Sequence, residues 1–171
     1  MSNDALRTGA LVLATVTTGL TAGVFVDWSN TIMPGLGDVD DRAFVTSFKA
    51  LDAAITNPLF LGVELTGSLV LTGVAAVLHR RSAHRPVLVW VGAALAGTVV
   101  VWSVTLGINE PLNEKLRTAP LHDDGDFAAA RALLDEARWT AWNTVRAVAS
   151  TAALGCLAGA LAVRRRLDRA G

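Results

Sequence analysis

Residues Val87–Leu106 read VLVWVGAALAGTVVVWSVTL, a run with no charged side chain and no proline. About 20 apolar residues in a helix cover the ~30 Å hydrocarbon core of a bilayer. The run lacks period-two alternation, and a lone apolar segment satisfies its backbone in lipid only as a helix. It is read as a transmembrane helix. Working outward, Thr8–Trp28 and Pro58–Leu78 before it and Trp142–Val163 after it qualify on the same grounds. Residues 1–171 are thus expected to form a single all-α domain, a four-helix transmembrane bundle.

Composition agrees. Hydrophobic residues make up 52% of the 171-residue chain while aromatics make up only 6%, a profile suited to lipid. The formal net charge is zero and no basic stripe runs along a face, so nucleic acid is excluded as a partner. The single cysteine, Cys156, lies in an apolar run, is read as a small core residue, and has no partner for an intramolecular disulfide. Arg7 ahead of an apolar stretch imitates a secretory signal. The run Ala10–Val26 is longer than a ~7–15-residue signal core, however, and Thr15, Thr17, Thr18 and Thr21 punctuate it, so it is expected to stay in the mature protein.

Charge placement orients the bundle. His79-Arg80-Arg81-Ser82-Ala83-His84-Arg85 joins spans two and three, and Arg164-Arg165-Arg166 closes span four, which puts both on the cytoplasmic side of the plasma membrane with both chain ends. The other two connections are acidic. Asp38, Asp40, Asp41 and Asp52 fall in one, Asp123, Asp124, Asp126, Asp135 and Glu136 in the other, and both face outward. Trp28, Trp102, Trp139 and Trp142 fall near outer span ends and Trp90 near an inner one, as an aromatic belt requires; Trp139 and Trp142, among polar residues, are the exceptions to expect. Gly19-x-x-x-Gly23 and Gly155-x-x-x-Gly159 invite close helix contact, either within one chain or across a homodimer.

In the first outer loop, the breaker cluster Met33-Pro34-Gly35-Leu36-Gly37 precedes Asp41–Ile55, where Phe44, Val45, Phe48, Leu51 and Ile55 recur at helical spacing. This is a short amphipathic helix, lying in the interface or capping the bundle. In the second, Asp126–Arg138 has helical composition and is expected to run on into span four.

Polar groups inside or at the edge of the spans converge on one depth: Asp27, Asn57, Glu64, Asn109, Glu110, Asn113, Asn143 and Arg146. Glu64, seven residues past Asn57 and so on nearly the same face, is the deepest carboxylate, and Arg146 is its expected partner. The pair either sets helix packing or serves chemistry. Trp139, Asn143 and Arg146 share one helical face that offers a flat wall, an amide and a fork of N–H donors, a surface for a planar aromatic bearing oxygens. Asparagines four apart in Asn109-Glu110-Pro111-Leu112-Asn113 bracket a proline that either stops span three or opens a continuation. No phosphate loop, nucleophile elbow or cysteine pair is present. His79, His84 and His122 lie away from the convergent groups, which disfavours a histidine metal centre or a haem.

Asn57-Pro58-Leu59-Phe60, Asn109-x-Pro111-Leu112-Asn113 and Trp139-x-x-Trp142-Asn143-x-Val145-Arg146, with Met33-Pro34-Gly35-Leu36 after the first span, resemble the signatures of the anthrone oxygenase-like family of small four-helix membrane proteins. The resemblance runs from Gly19 to Arg146. It implies oxygenation of an anthrone-type polyketide to an anthraquinone, with no cofactor and no metal. The sequence departs from the pattern at Leu51-Asp52, where relatives carry Ile-Asn, and it contains no tyrosine, which rules out a tyrosine acid–base step.

On this reading, a carboxylate, Glu64 or Asp27, removes the methylene proton of the anthrone, and Arg146 with Asn143 stabilises the oxyanion. The carbanion then takes up O2 directly. Asn57, Asn109, Asn113, Trp139, Trp142 and Trp28 hold the aromatic substrate near the outer face. Two alternatives use the same residues: a non-catalytic membrane protein that binds a hydrophobic polyketide or quinone, and a cofactor-free polyketide cyclase.

Overall fold

The computed structural model describes residues 3–81 and 85–170; Ser82, Ala83 and His84 of the basic loop lie outside the described residues. No strand occurs among the described residues. The helices are α1 (Asn3–Asp27), α2 (Met33–Gly37), α3 (Asp41–Ile55), α4 (Gly67–Leu78), α5 (Arg85–Val104), α6 (Glu110–Thr118), α7 (Asp124–Leu134) and α8 (Glu136–Ala170). Among the described residues three π-helical segments, Trp28–Ile32, Leu59–Thr66 and Thr105–Asn109, lead into α2, α4 and α6. Among the described residues four helices are long and apolar enough to cross a membrane, as expected.

α1, α4, α5 and α8 form the bundle. α1 packs on α8 and α4, α4 packs on α5, and α5 closes the ring on α8. Near the basic end the core is aliphatic, built from Leu11, Val87, Val91 and Leu157 with alanines between them. Small residues bring the helices close: a Cβ on Gly97 would stand 2.9 Å from the backbone oxygen of Ala149, and one on Gly159 would stand 2.9 Å from the Trp90 ring. Gly19 faces Leu154, while Gly23 and Gly155 have nothing within 4 Å of an added Cβ. Two glycines are thus equally tight: Gly97, which belongs to neither small-residue pair, against a neighbouring backbone, and Gly159, from the second pair, against an aromatic ring.

At the other end, α3, α6 and α7 pack against one another as a cap. The Asp40 side chain accepts from the Ala43 N–H at 2.8 Å and starts α3, which spans the residues read as amphipathic. Its buried face carries Phe44, Val45, Phe48 and Asp52. Leu51, expected on that face, is 38% exposed, whereas Asp52 is 7% exposed.

Two further expectations are corrected, at Met33–Gly37 and at the start of span four, and the alternative left open at Pro111 is settled as a continuation. The first helix does not break at Met33–Gly37: the Met33 N–H reaches back five residues to the Trp28 oxygen, and this widened turn carries the chain past Pro34. Proline cannot donate to a helical ladder, so a turn that is out of α register ahead of it relieves the conflict. The same device precedes Pro111, where the Glu110 N–H bonds to the Thr105 oxygen, and α6 continues the third span. Finally, α7 does not run into α8. Asp135 sits in the left-handed region at φ 52°, ends α7 and accepts the Trp139 N–H at 2.8 Å to begin α8.

Candidate functional site

Between bundle and cap lies a cavity of about 80 Å³. All three π-helical segments supply its walls: Trp28 from the first, Phe60, Leu61 and Leu65 from the second, Thr105 from the third. A π turn shifts side chains out of the α-helical register, and such turns recur at functional sites. Three of them around one cavity explain why it exists where the four rods would otherwise close-pack.

One wall is aromatic. Trp28, Phe48 and Trp139 meet in a three-ring cluster, with centroid separations of 5.5 Å for Trp28–Phe48, 5.3 Å for Trp28–Trp139 and 5.6 Å for Phe48–Trp139. Trp28 and Trp139 are buried, not belt anchors, whereas Trp142 is 37% exposed and Trp90 42%. The Trp139 indole N–H donates to Asn113 Oδ1 at 2.6 Å, and the Asn113 amide in turn donates to Asp52 Oδ1 at 2.9 Å. Asn109, fully buried, holds the Trp139 backbone oxygen from its side-chain amide at 3.1 Å. These bonds fix the ring's orientation.

Arg146 lines the cavity and is 6% exposed. Its guanidinium donates to Asn143 Oδ1 at 2.8 Å and to Thr105 Oγ1 at 3.3 Å, and lies 4.4 Å over the Phe25 ring. Asn143 is held in turn, donating to the Phe25 oxygen and the Ser29 hydroxyl. It therefore positions the guanidinium from behind and does not line the cavity. Arg146 Nε has no hydrogen-bond partner, and no carboxylate pairs with this guanidinium among the described residues. Burying a cation without an anion is costly, so the cavity is electrostatically prepared for an oxygen-bearing or anionic group.

The expected Glu64–Arg146 pair is not formed. Glu64 lies in the π segment Leu59–Thr66, and a wider turn means that seven positions no longer return to the face of Asn57. Glu64 Oε2 is buried without a partner and does not face the cavity. Asp27 is exposed at the end of α1, Trp142 points away, and Asn57 accepts the Phe60 N–H and donates to the Ala54 oxygen as a turn residue. None of the three lines the cavity.

The carboxylates that do line it are Asp52 and Glu110. Arg117 donates to Asp52 Oδ2 at 3.0 Å and to Glu110 Oε1 at 2.8 Å, tying α3 to α6 across the cavity's edge. Burial pushes the Asp52 carboxyl above its ordinary value of 3.8, and Arg117 offsets part of that rise. Glu110 foremost holds the Arg117 guanidinium protonated. Asp52 was read only as an outer-loop acid. Its spacing of four residues from Phe48 and eight from Phe44 puts it on the buried stripe of α3, and that signal was available. Among the described residues no group of His, Cys, Asp and Glu side chains is arranged to hold a metal ion.

The family model described as anthrone oxygenase matches residues 58–156, more than half of the chain, from Pro58 at the head of the second π segment to Cys156, beyond Arg146. No curated protein and no solved structure matches the chain.

Proposed function

Because the chain belongs to the anthrone oxygenase family, we propose that it oxidises an anthrone-type aromatic polyketide to an anthraquinone with O2, in the cavity between bundle and cap. The observation that carries this reading is Arg146: a buried guanidinium with a free Nε, no carboxylate partner, and aromatic rings beside it. A planar substrate lies along Trp28 and Trp139 with an oxygen toward Arg146. Asn143 and Thr105 hold that donor fork in place before the substrate arrives. In a plasma membrane with both chain ends cytoplasmic, as the basic loops require, this site lies near the outer face.

Asp52 takes the methylene proton, a role that its position in the cavity supports and the positions of Glu64 and Asp27 do not. Deprotonation places negative charge on the anthrone oxygen, where Arg146 stabilises it. The electron-rich carbon adds O2 and, with a proton returned, gives a hydroperoxide. Loss of water leaves the new carbonyl, so one oxygen atom enters the quinone and the other leaves with the two methylene hydrogens.

The test is oxygen uptake by detergent-purified protein given emodin anthrone, against a no-protein control for autoxidation. Wild type should exceed autoxidation, and Arg146→Gln should lose about 10²-fold or more of the excess while staying folded. Turnover at the wild-type rate in the variant would sink the assignment. Stoichiometric ligand binding without oxygen uptake would support a binding protein, and product formation without oxygen uptake a cyclase.

A further inference from the structure

The cavity's lining runs from buried to exposed residues. Its aromatic wall, Asp52 and Arg146 are buried, whereas Thr56, Leu61 and Glu110 are exposed. Those three come from the turn after α3, from the π segment Leu59–Thr66 and from the first turn of α6, and they are the exposed members of the cavity's lining. Apolar side chains are exposed on the same π segment and at the end of the third span: Leu59 is 60% exposed, Leu61 41% and Leu106 61%. Above, α3, α6 and α7 cover the cavity with a packed core.

We propose that the cavity is entered sideways through the gap rimmed by Leu61, Thr56 and Glu110, so that its ligands are aromatic molecules dissolved in the bilayer and not in water. This rests on the proposed function for the ligand's chemical class. The rim is two-sided. Leu61, with Leu59 and Leu106 beside it, meets hydrocarbon, while Thr56 and Glu110 meet the headgroup region, which suits a flat apolar body carrying phenolic or carbonyl oxygens. A cap that seals the water side and a doorway that opens on lipid keep bulk water from the buried Arg146 and Asp52 while the ligand arrives. The widened helix at Leu59–Thr66 makes the doorway, because its side chains do not follow the register that would close the second rod against the third.

The experiment uses the full chain in vesicles, in a Cys156→Ala background, with one cysteine introduced beside the gap as Leu59→Cys, which does not line the cavity. Entry of an anthraquinone preloaded in the lipid is followed by quenching of tryptophan fluorescence, before and after a bulky maleimide is attached. Labelling at position 59 should slow the quenching about tenfold without lowering its final amplitude, whereas the same label on Val148→Cys, on the exposed face of α8, should leave the rate unchanged. An unchanged rate in the labelled Leu59→Cys protein would overturn the doorway. So would a lost amplitude, because position 59 would then lie in the ligand's own space. Absence of quenching in the unlabelled proteins would instead remove the ligand class, and the proposed function with it.

Discussion

The two ends of the same four rods are built on different rules. Toward Arg164 the core is alanine, valine and leucine in continuous α-helix around one buried polar contact, His79 Nε2 with Arg164 at 3.0 Å, and Gly97 lets α5 lie against the backbone of α8. Toward the cap, three rods widen into π turns, the core turns aromatic, and buried polar groups gather: Asp52, Asn109, Asn143 and Arg146. Small side chains and regular helices maximise contact and leave no room. Irregular turns sacrifice contact and create room, and the polar groups placed there make that room specific. The comparison teaches that this protein separates the half that holds it together from the half that carries the candidate site.

That separation yields predictions in falling order of effect. Asp52→Asn should cost about 10²-fold or more in anthrone oxidation and remove the rising limb of the pH–rate profile. Because burial raises the Asp52 carboxyl and Arg117 lowers it, Arg117→Gln should move that limb to higher pH; a limb that stays put would assign it to another group. The same raised carboxyl has a signed effect on stability. Its contribution is full below 3.8 and is lost as pH rises through the folded value, so Asp52→Asn should flatten the stability profile in that window.

Next in size is Gly97→Ala in the regular half. The added Cβ meets a backbone oxygen that cannot swing away, so unfolding should become easier by about 1–3 kcal/mol while the folded fraction keeps its turnover number. Equal loss of both would show that the halves are not separable. Smallest is Gly155→Ala, which meets nothing within 4 Å and should change thermal stability by no more than about 1 kcal/mol, in the stabilising direction. A large loss there would reveal a partner against that face.

The regular half was legible in the sequence because hydropathy reports length and depth, and α3 was legible because its apolar spacing is that of one helix face. Among the polar groups, Arg146, Asn143 and Trp139 were found because a cation and an amide inside a span demand an explanation. What hydropathy does not report is azimuth. Glu64 lies at the right depth but on the wrong side, because an eight-residue π segment intervenes after Pro58. The local rule for proline predicts a break, and it predicted one at Met33–Gly37. Whether a chain breaks or widens depends on the packing around it, which neighbours in sequence do not encode.

The prolines at 34, 58 and 111 each stand beside one of the three π segments, just after two of them and just before the third. A π turn holds one more residue than the α turn it replaces, so each of these rods carries, in effect, an insertion that the fold has absorbed. Removing a single residue there would restore an ordinary helix, leave what lies beyond it in step, and pull the side chains of the turn itself back onto the α-helical register. Length itself is thus a constrained property of these stretches. The fold can absorb substitutions one at a time along the cap end of this molecule, but a change in the count of residues would take away the room that the wide turns leave.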